Sequence, residues 1–265
     1  MKLTNDKYYT SEGVVNICLD VLKNTIDMDL VTEIIDPSAG CGAFSSKIPS
    51  CIAYDIDPRD PSIASQDFLQ LDLPYKKGRL IIGNPPFGTR NTLSVKFFKK
   101  AILLGDYVAF ILPISQLNES PQMYDFDLIK SVDLGGQLYT DRMLRCCFNI
   151  YKRPLSGELN SKPNFKLQDV EIKGYRRGGN YSLPIKSDIA FNMWGSGVGK
   201  IIKRPGQYAQ EAHCYIKNEE LRQEILSALA YEQINPYVVA RSIATPHISA
   251  AGIYQYLRLK IKGIK

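Results

Sequence analysis

The feature that most constrains the fold is an alternation, through the first half of the chain, of short apolar runs with amphipathic stretches. Runs rich in branched side chains predict buried strands, and stretches with apolar residues three and four apart predict helices. Strands that alternate with helices form a mostly parallel, doubly wound α/β sheet, and such a sheet binds ligands at the carboxyl ends of its strands. The predicted strands are 31–35, 51–56, 79–82, 107–112 and 146–151, and the predicted helices are 14–22, 92–104 and 125–132.

The pattern changes near Arg153-Pro154, which predicts a boundary between domains 1–153 and 154–265. Beyond a polar stretch, short β-like runs with Gly-rich turns and a helix near 219–231 predict a smaller, β-rich second domain. Residues 1–153 carry 17 Lys+Arg and 18 Asp+Glu, whereas residues 154–265 carry 16 and 9, a net charge of +7. Such a basic excess is typical of a polyanion-binding segment, and it equally fits a solvated lysine-rich surface.

Composition argues against several functions. The longest apolar runs are too short for a membrane span, and the polar N-terminus does not resemble a signal peptide, so the expected location is cytoplasmic. The six cysteines include no CxxC pair, which predicts buried, reduced thiols and no metal site. The two histidines lie outside any catalytic motif, which argues against chemistry that needs a histidine base.

A glycine-containing segment, Asp36-Pro37-Ser38-Ala39-Gly40-Cys41-Gly42-Ala43-Phe44, follows the first predicted strand. Gly40 and Gly42 permit positive φ and let the backbone approach a ligand closely. A helix that begins near Ala43 would offer free N-terminal amides to an anionic group. The segment therefore predicts a cofactor site.

Acidic residues follow at the spacing that a nucleoside cofactor needs. Asp55, at the end of the second strand and followed by Ile56, is placed to accept hydrogen bonds from ribose hydroxyls, with Asp57 as the alternative. Asp67 can accept from an adenine amino group while the ring of Phe68 packs on the base.

The strongest signal is Asn84-Pro85-Pro86-Phe87, directly after the third predicted strand. Two prolines make a stiff turn, which holds a side-chain amide and its neighbouring carbonyls in fixed directions. The Asn84 side-chain oxygen and the Pro85 carbonyl can each accept one hydrogen of an exocyclic amine. Its lone pair is then free to attack a sulfonium methyl group, and Phe87 can stack on the substrate ring.

Residues 8–153 resemble S-adenosylmethionine-dependent DNA adenine-N6 methyltransferases of the NPPF type, most of all the modification subunits of type I restriction systems. The resemblance rests on the segment from Asp36 to Phe44, the spaced acids and the turn at Asn84. It implies a Rossmann-like methyltransferase sheet, S-adenosylmethionine as cofactor, and sequence-specific methylation of adenine N6 in double-stranded DNA. A restriction or specificity subunit is an expected partner.

The resemblance also implies roles for single residues. It places Asp36, Gly40 and Gly42 around the methionine part of the cofactor, and it assigns Tyr9 and Thr10 to the N-terminal cofactor motif, although Ser11 stands where the family usually has proline. A base in a duplex must be flipped out to reach the turn. The resemblance places an aromatic residue for stacking on a later strand, here Phe148 or Tyr151.

The C-terminal segment resembles, more loosely, the target-recognition domains of type I specificity subunits. The resemblance rests on the Gly-rich turn from Trp194 to Lys200, a β segment around His213, a helix, and the turn Thr245-Pro246-His247-Ile248-Ser249. Gly195, Gly197 and Gly199 lack the GKS or GKT ending of a phosphate-binding loop.

Two other interpretations keep part of this reasoning. The same chemistry serves adenine in RNA or a glutamine amide in a protein, and the basic C-terminal segment argues against the protein substrate only. The second alternative is a non-catalytic DNA-binding protein with a methyltransferase fold. The intact Asn84-Pro85-Pro86-Phe87 motif argues against it.

Overall fold

The computed structural model describes residues 10–118, 122–139, 142–179, 186–242 and 245–265. The chain divides into two compact units, Met1–Lys162 and Pro163–Lys265. The first unit extends past Arg153 because the backbone N–H of Asn160 donates to the Asp125 carbonyl at 2.9 Å. The Asn160 side chain also donates to Asp127 at 2.8 Å.

The first unit is built on a seven-stranded sheet with the strand order β3-β2-β1-β4-β5-β7-β6. Strands β1 to β5 pair in parallel, and β7 lies antiparallel between β5 and β6. This is a Rossmann-like α/β sheet with an antiparallel edge. The strands are β1 Glu33–Asp36, β2 Ile52–Asp55, β3 Ala64–Ser65, β4 Arg79–Gly83, β5 Tyr107–Pro113, β6 Asp127–Tyr139 and β7 Arg142–Lys152.

Two α-helices of the first unit match the predicted amphipathic stretches. Helix α1, Glu12–Lys23, buries Val14, Val15, Cys18 and Leu22, which recur at helical spacing. Helix α2, Thr92–Leu104, connects β4 to β5 as the crossover that a parallel pair needs. Every residue of β4 and β5 is buried, as expected for central strands with both faces covered.

The predicted helix at 125–132 is wrong. From Asp127 the chain forms β6, which pairs along its length with β7; Val132, for example, pairs with Phe148. Register shifts between Leu128 and Lys130 and between Asp133 and Gly135 interrupt the period-two pattern. The strand state therefore comes from pairing with the next strand along the chain and is not evident from the periodicity of residues 125–132.

The second unit contains a three-stranded antiparallel sheet in the order β8-β10-β9, with three α-helices. Its core includes Val170, Phe191, Cys214 and Leu257. The small β sheet was expected, whereas helix content beyond one predicted segment was not. The elements are β8 Val170–Arg176, β9 Ile189–Asn192, β10 Gln210–Ile216, α3 Arg222–Ala228, α4 Tyr231–Ala240 and α5 Ala250–Lys260.

The expectation of buried thiols holds for most of the cysteines. All six are free, but Cys41 is exposed and Cys51 is half-buried. Within the described ranges no helix combines the length and apolarity needed to cross a membrane, and no cluster of three or more His, Cys, Asp or Glu side chains is arranged to hold a metal ion.

Candidate active site at the carboxyl edge of the sheet

Three neighbouring parallel strands bring the predicted motifs to one edge of the sheet. Strand β1 lies between β2 and β4 and pairs with both. Asp36 ends β1, Asp55 ends β2, and Asn84 directly follows β4. The candidate cofactor residues and the candidate catalytic turn therefore lie together where an α/β sheet of this kind binds ligands.

The loop after β1 is fixed to the end of β2. The Ala39 N–H donates to the Tyr54 carbonyl at 2.9 Å, and the Gly40 N–H donates to Asp55 Oδ2 at 2.8 Å. Gly40 and Gly42 have φ values of +59° and +85°, a conformation that glycine adopts without the penalty a Cβ brings. The expectation of positive φ at both glycines is confirmed.

The helix predicted to start near Ala43 does not form. The chain makes a turn and the short 3₁₀ helix Ser45–Lys47 instead. Pro49 prevents a longer helix, because the residue before a proline is pushed out of the α region, and Ile48 is extended. The site therefore lacks a helix N-terminus after β1, and the N–H groups of Gly40 and Gly42 already donate to Asp55 and to the Ala39 carbonyl.

Asp36 is more deeply buried than expected for a residue that contacts a ligand. Its side chain is 1% exposed, and its Oδ1 accepts a hydrogen bond from the Ser38 N–H at 3.2 Å. Burial, and to a lesser extent the charge of Asp55, raises the pKa of Asp36 to about 7, although the hydrogen bond from the Ser38 N–H lowers it. A Cβ placed on Gly83 would lie 2.7 Å from Asp36 Oδ1. The carboxyl group thus packs against the residue before Asn84 and links the candidate cofactor loop, residues 36–44, to the candidate catalytic turn, residues 84–87.

Asp55 and Ile56 keep features that suit a nucleoside. The two oxygens of Asp55 each accept one backbone N–H, from Gly40 at 2.8 Å and from Asp57 at 2.9 Å. A carboxylate has about four lone-pair sites, so Asp55 can still accept from hydroxyls. Ile56 is 69% exposed, which leaves an apolar side chain available for a flat ring. The ribose role of Asp55 stays a prediction.

Asp67 and Phe68 differ in how well they fit their predicted roles. Asp67 Oδ1 accepts from the Leu69 N–H at 2.9 Å and so caps the 3₁₀ helix Phe68–Gln70. The ring of Phe68 is 1% exposed and stacks on Phe97 of α2 with the ring centroids 5.4 Å apart. Phe68 is therefore a core residue in this structure, and the expectation that its ring packs on adenine is not supported.

The turn at Asn84 has two carbonyl oxygens without partners among the described residues. Asn84 Nδ2 donates to Thr10 Oγ1 at 3.1 Å, which connects the turn to the start of the described chain. Asn84 Oδ1 is buried and accepts no hydrogen bond. The Pro85 carbonyl also accepts none from the described residues. Buried polar atoms without partners are rare in proteins, so the Asn84 oxygen calls for an explanation, and the Pro85 carbonyl is a second available acceptor in the same turn.

Helix α2 holds the second half of the turn. The Phe87 carbonyl accepts from the N–H groups of Leu93 at 3.2 Å and Ser94 at 3.5 Å. Ser94 Oγ donates to the Pro86 carbonyl at 3.3 Å, and Gly88 has a φ of +67°. The stiffness that two prolines predict is thus reinforced by bonds to the first turn of a long helix.

The aromatic residues predicted to stack on a substrate base are all buried. Phe87 is 4% exposed, and Phe148 and Tyr151 are 0% exposed. Tyr151 packs edge-on against Phe98 of α2, and its hydroxyl accepts from Asn149 Nδ2 at 3.0 Å. Burial also raises the pKa of Tyr151. The expectation that Phe148 or Tyr151 stacks on a base is not supported, because β7 is an interior strand whose two faces are both covered.

Other site features escaped the sequence analysis. Ser38 Oγ, in the cofactor loop, is buried and accepts or donates no hydrogen bond. The contact between Asp36 and Gly83 was not foreseen, although a glycine immediately before Asn84 is a signal of close approach. Thr10 was foreseen as a cofactor residue and is found bonded to Asn84. Tyr9 lies outside the described residues.

No family model and no curated protein matches this chain. Among solved structures, a proposed RNA methyltransferase from Pyrococcus horikoshii is 14% identical, with a TM-score of 0.44 over 58% of this chain and 89% of that one. A proposed class I S-adenosylmethionine-dependent methyltransferase from Listeria monocytogenes is 12% identical, with a TM-score of 0.45 over 58% and 64%. The magnesium protoporphyrin IX methyltransferase from Synechocystis, solved with bound S-adenosylmethionine, is 12% identical, with a TM-score of 0.40 over 54% and 79%. Similarity this low says nothing of substrate or chemistry, which rest on the residues of this chain.

Proposed function

We propose that this protein is an S-adenosylmethionine-dependent methyltransferase that methylates the N6 amino group of adenine in DNA. The observation that carries the proposal is the pair of unused acceptors, Asn84 Oδ1 and the Pro85 carbonyl. An exocyclic amine has two N–H donors, and two neighbouring acceptors in a stiff turn match them. Without such a ligand, the buried Asn84 oxygen is an uncompensated polar atom.

The residues at the carboxyl edge fit the cofactor. The positive φ of Gly40 and Gly42 keeps the loop after β1 free of Cβ atoms at two positions, Asp55 has lone pairs left for ribose hydroxyls, and Ile56 offers an apolar contact. Asp67 retains an unbonded Oδ2 for an adenine amino group. Bound S-adenosylmethionine supplies an activated methyl group.

The protein contributes orientation of the amine to this chemistry. Asn84 Oδ1 and the Pro85 carbonyl each accept one of the two amine hydrogens. Because both hydrogens are then held in fixed directions, the nitrogen lone pair points toward the methyl donor. Thr10 fixes the direction of the Asn84 amide by accepting from Nδ2. No side chain needs to form a covalent intermediate.

A nucleic-acid substrate, as opposed to a protein, is supported by charge. The second unit, residues 163–265, carries 15 Lys+Arg and 8 Asp+Glu, whereas residues 1–162 carry 18 and 19. Neutralisation of backbone phosphates supplies most of the non-specific affinity for DNA. The basic second unit therefore supplies the affinity that the acidic first unit lacks.

The test is transfer of isotopically labelled methyl groups to DNA and to RNA of the same sequence, with the modified nucleoside identified by mass spectrometry. We expect N6-methyladenine in DNA. Preference for RNA would favour the alternative substrate, a methylated amide or cytosine would contradict the proposal, and cofactor binding without any transfer would favour the non-catalytic interpretation.

Asn84→Ala separates the chemistry from cofactor binding. We expect a loss of about 10²–10³ in kcat, the usual effect of removing one aligned polar group, with little change in cofactor affinity. Asn24→Ala, at an exposed helix C-cap, is the matched control. Turnover of Asn84→Ala near that of the wild type would contradict the proposed mechanism.

A further inference from the structure

The second unit exposes its tryptophan beside a histidine. Trp194, the single tryptophan of the chain, is 39% exposed. Its ring lies against that of His247, with centroids 5.0 Å apart and planes inclined by 33°. His247 is itself exposed. Large aromatic side chains usually bury most of their area, so an exposed pair of rings on the surface of a unit this small requires an explanation.

The loop that carries Trp194 is held firmly by the buried side chain of Asn192. Asn192 Nδ2 donates to the Trp194 carbonyl at 2.6 Å, and Asn192 Oδ1 accepts from the Trp194 N–H at 3.2 Å. The Gly195 N–H donates to the Pro246 carbonyl at 2.8 Å, which ties the loop to the segment before His247. The indole is therefore exposed on a backbone fixed before any ligand binds.

Four exposed cations of the second unit have no ion pair among the described residues. Arg177, Lys200, Lys203 and Arg204 are exposed and form no ion pair with a carboxylate in the described part of the chain. By contrast, Lys173 and Lys217 on the same sheet both pair with Glu171. We call Trp194, His247 and these four cations the aromatic–basic surface.

Strand pairing places Trp194 and Arg177 near each other. Met193, just before Trp194, donates to the Gln210 carbonyl, and Gln210 pairs with Arg176, the residue before Arg177. Two strand spacings span about 10 Å. Lys200 lies on the same loop as Trp194, because its side chain would touch a Cβ added to Gly197 at 3.2 Å.

A buried carboxylate shapes the basic part of the surface. Glu211 is 0% exposed and accepts from the N–H groups of Gly206 at 2.9 Å and Tyr208 at 2.7 Å. Arg177 donates to the Gly206 carbonyl at 2.9 Å. The turn that contains Lys203 and Arg204 is thereby fixed to β10 and to Arg177.

We propose that the aromatic–basic surface binds a nucleic-acid strand, with the Trp194 indole stacked on a base and the four cations against phosphates. Basic grooves with exposed aromatic rings bind nucleic acid in this way, because every base has a flat face. The inference deepens the proposed function, on whose nucleic-acid substrate it rests.

Tryptophan fluorescence of the full chain tests the stacking directly, since all indole emission comes from Trp194. We expect quenching on titration with a single-stranded or a duplex oligonucleotide, and comparison of the two shows whether the base must already be unstacked. Heparin, a polyanion without bases, should not quench. Equal quenching by heparin, or an unchanged emission while a labelled oligonucleotide binds, would overturn the proposal.

Variants test the surface by anisotropy of a labelled oligonucleotide. Trp194→Ala should weaken binding roughly 5- to 150-fold, the range for loss of one base–aromatic stack, and Trp194→Phe should restore most of it. The double variant Lys203→Gln with Arg204→Gln should reduce the log–log salt slope by about 0.7–0.9 for each phosphate that is no longer neutralised. The control, Lys173→Gln with Lys217→Gln, removes as many cations from the same unit and should leave the slope nearly unchanged. Equal effects of the two pairs would overturn the assignment of this surface.

Methyl transfer measured on the same proteins separates this inference from the proposed function. Methylation of nucleic acid by a protein whose Trp194 is never quenched would overturn the aromatic–basic surface alone. Quenching without methylation of any nucleic acid would support the surface and contradict the proposed function. Circular dichroism and thermal unfolding verify that each variant is folded.

Discussion

Asp55 is the residue on which the shape of the cofactor loop most directly depends. It holds the Gly40 N–H with one oxygen and the Asp57 N–H with the other. The same carboxylate therefore both builds the loop and is available to a ligand. Asp36, in contrast, is enclosed against Gly83 and acts on the site through packing.

Replacing Asp55 should weaken binding of the cofactor. Asp55→Ala removes a charged acceptor worth about 1.5–3 kcal/mol, which corresponds to roughly a 10- to 150-fold loss of affinity for S-adenosylmethionine by calorimetry. Asp57→Ala should leave the affinity unchanged. The reverse result would move the ribose role to Asp57.

The raised pKa of Asp36 predicts a pH dependence of stability. Because the pKa of about 7 in the folded protein exceeds the value of 3.8 expected when unfolded, the unfolded state releases its proton first as the pH rises. The contribution of Asp36 to stability is complete below pH 4 and is lost as the pH rises through 7.

Between pH 5 and pH 8, the free energy of unfolding of the wild type should therefore fall by about 2–3 kcal/mol more than that of Asp36→Asn. Denaturant titrations at the two pH values measure the difference. Parallel pH profiles for the two proteins would show that Asp36 is ionised in the folded state throughout.

At the scale of elements, the sequence predicted the helices and strands whose structure depends mainly on their own residues. Helix α2 and strand β5 lie where periodicity placed them, since their apolar patterns are long and regular. Strand β6 could not be predicted, because its pairing with β7 overrides its own sequence. The order of acids and the turn at Asn84 followed from sequence. The burial of Tyr151 did not, because a period of two assigns its side chain to one face of β7 without saying that Phe98 of α2 covers that face. The burial of Phe68, in a short 3₁₀ helix, depends on Phe97 of α2, which is distant in sequence.

The junction between β1 and β4 gives the sharpest prediction at this scale. A Cβ on Gly83 would approach Asp36 Oδ1 to 2.7 Å and Pro37 Cδ to 3.3 Å. Gly83→Ala should therefore destabilise the protein by about 1–3 kcal/mol, the usual effect of overpacking, and should slow methyl transfer by shifting Asn84. Chemical denaturation and a kcat measurement check both effects.

Gly13→Ala is the matched control for this substitution. Gly13 lies inside α1 with nothing within 4 Å of an added Cβ. Alanine there should raise the free energy of unfolding by about 0.5–1 kcal/mol, because it restricts the unfolded chain. A Gly83→Ala protein that is as stable and active as Gly13→Ala would contradict the close packing of β1 against β4.

For the whole molecule, the boundary between the two compact units coincides with the change in net charge along the chain. The two units meet in sequence at Lys162–Pro163, and the basic excess lies entirely in the second. A chain that ends at Lys162 should therefore bind S-adenosylmethionine but lose affinity for DNA.

Calorimetry with the cofactor and anisotropy with a labelled duplex measure these two properties, after circular dichroism has verified folding. The full-length protein should bind with a log–log salt slope of about −0.9 per neutralised phosphate. A folded 1–162 chain that binds DNA as tightly as the full-length protein would contradict this division of labour.

The central position of β1 also determines when the site can form during folding. Glu33 of β1 pairs with Arg79 of β4, whereas β6 and β7 are consecutive strands that pair with each other. Pairing between distant parallel strands is slow, because a long loop must close before any contact forms. During synthesis on a ribosome, one edge of β1 therefore has no strand to pair with until β4 has emerged. Since Asn84 directly follows β4, we expect the loop after β1 and the turn to reach their final shapes in the same step.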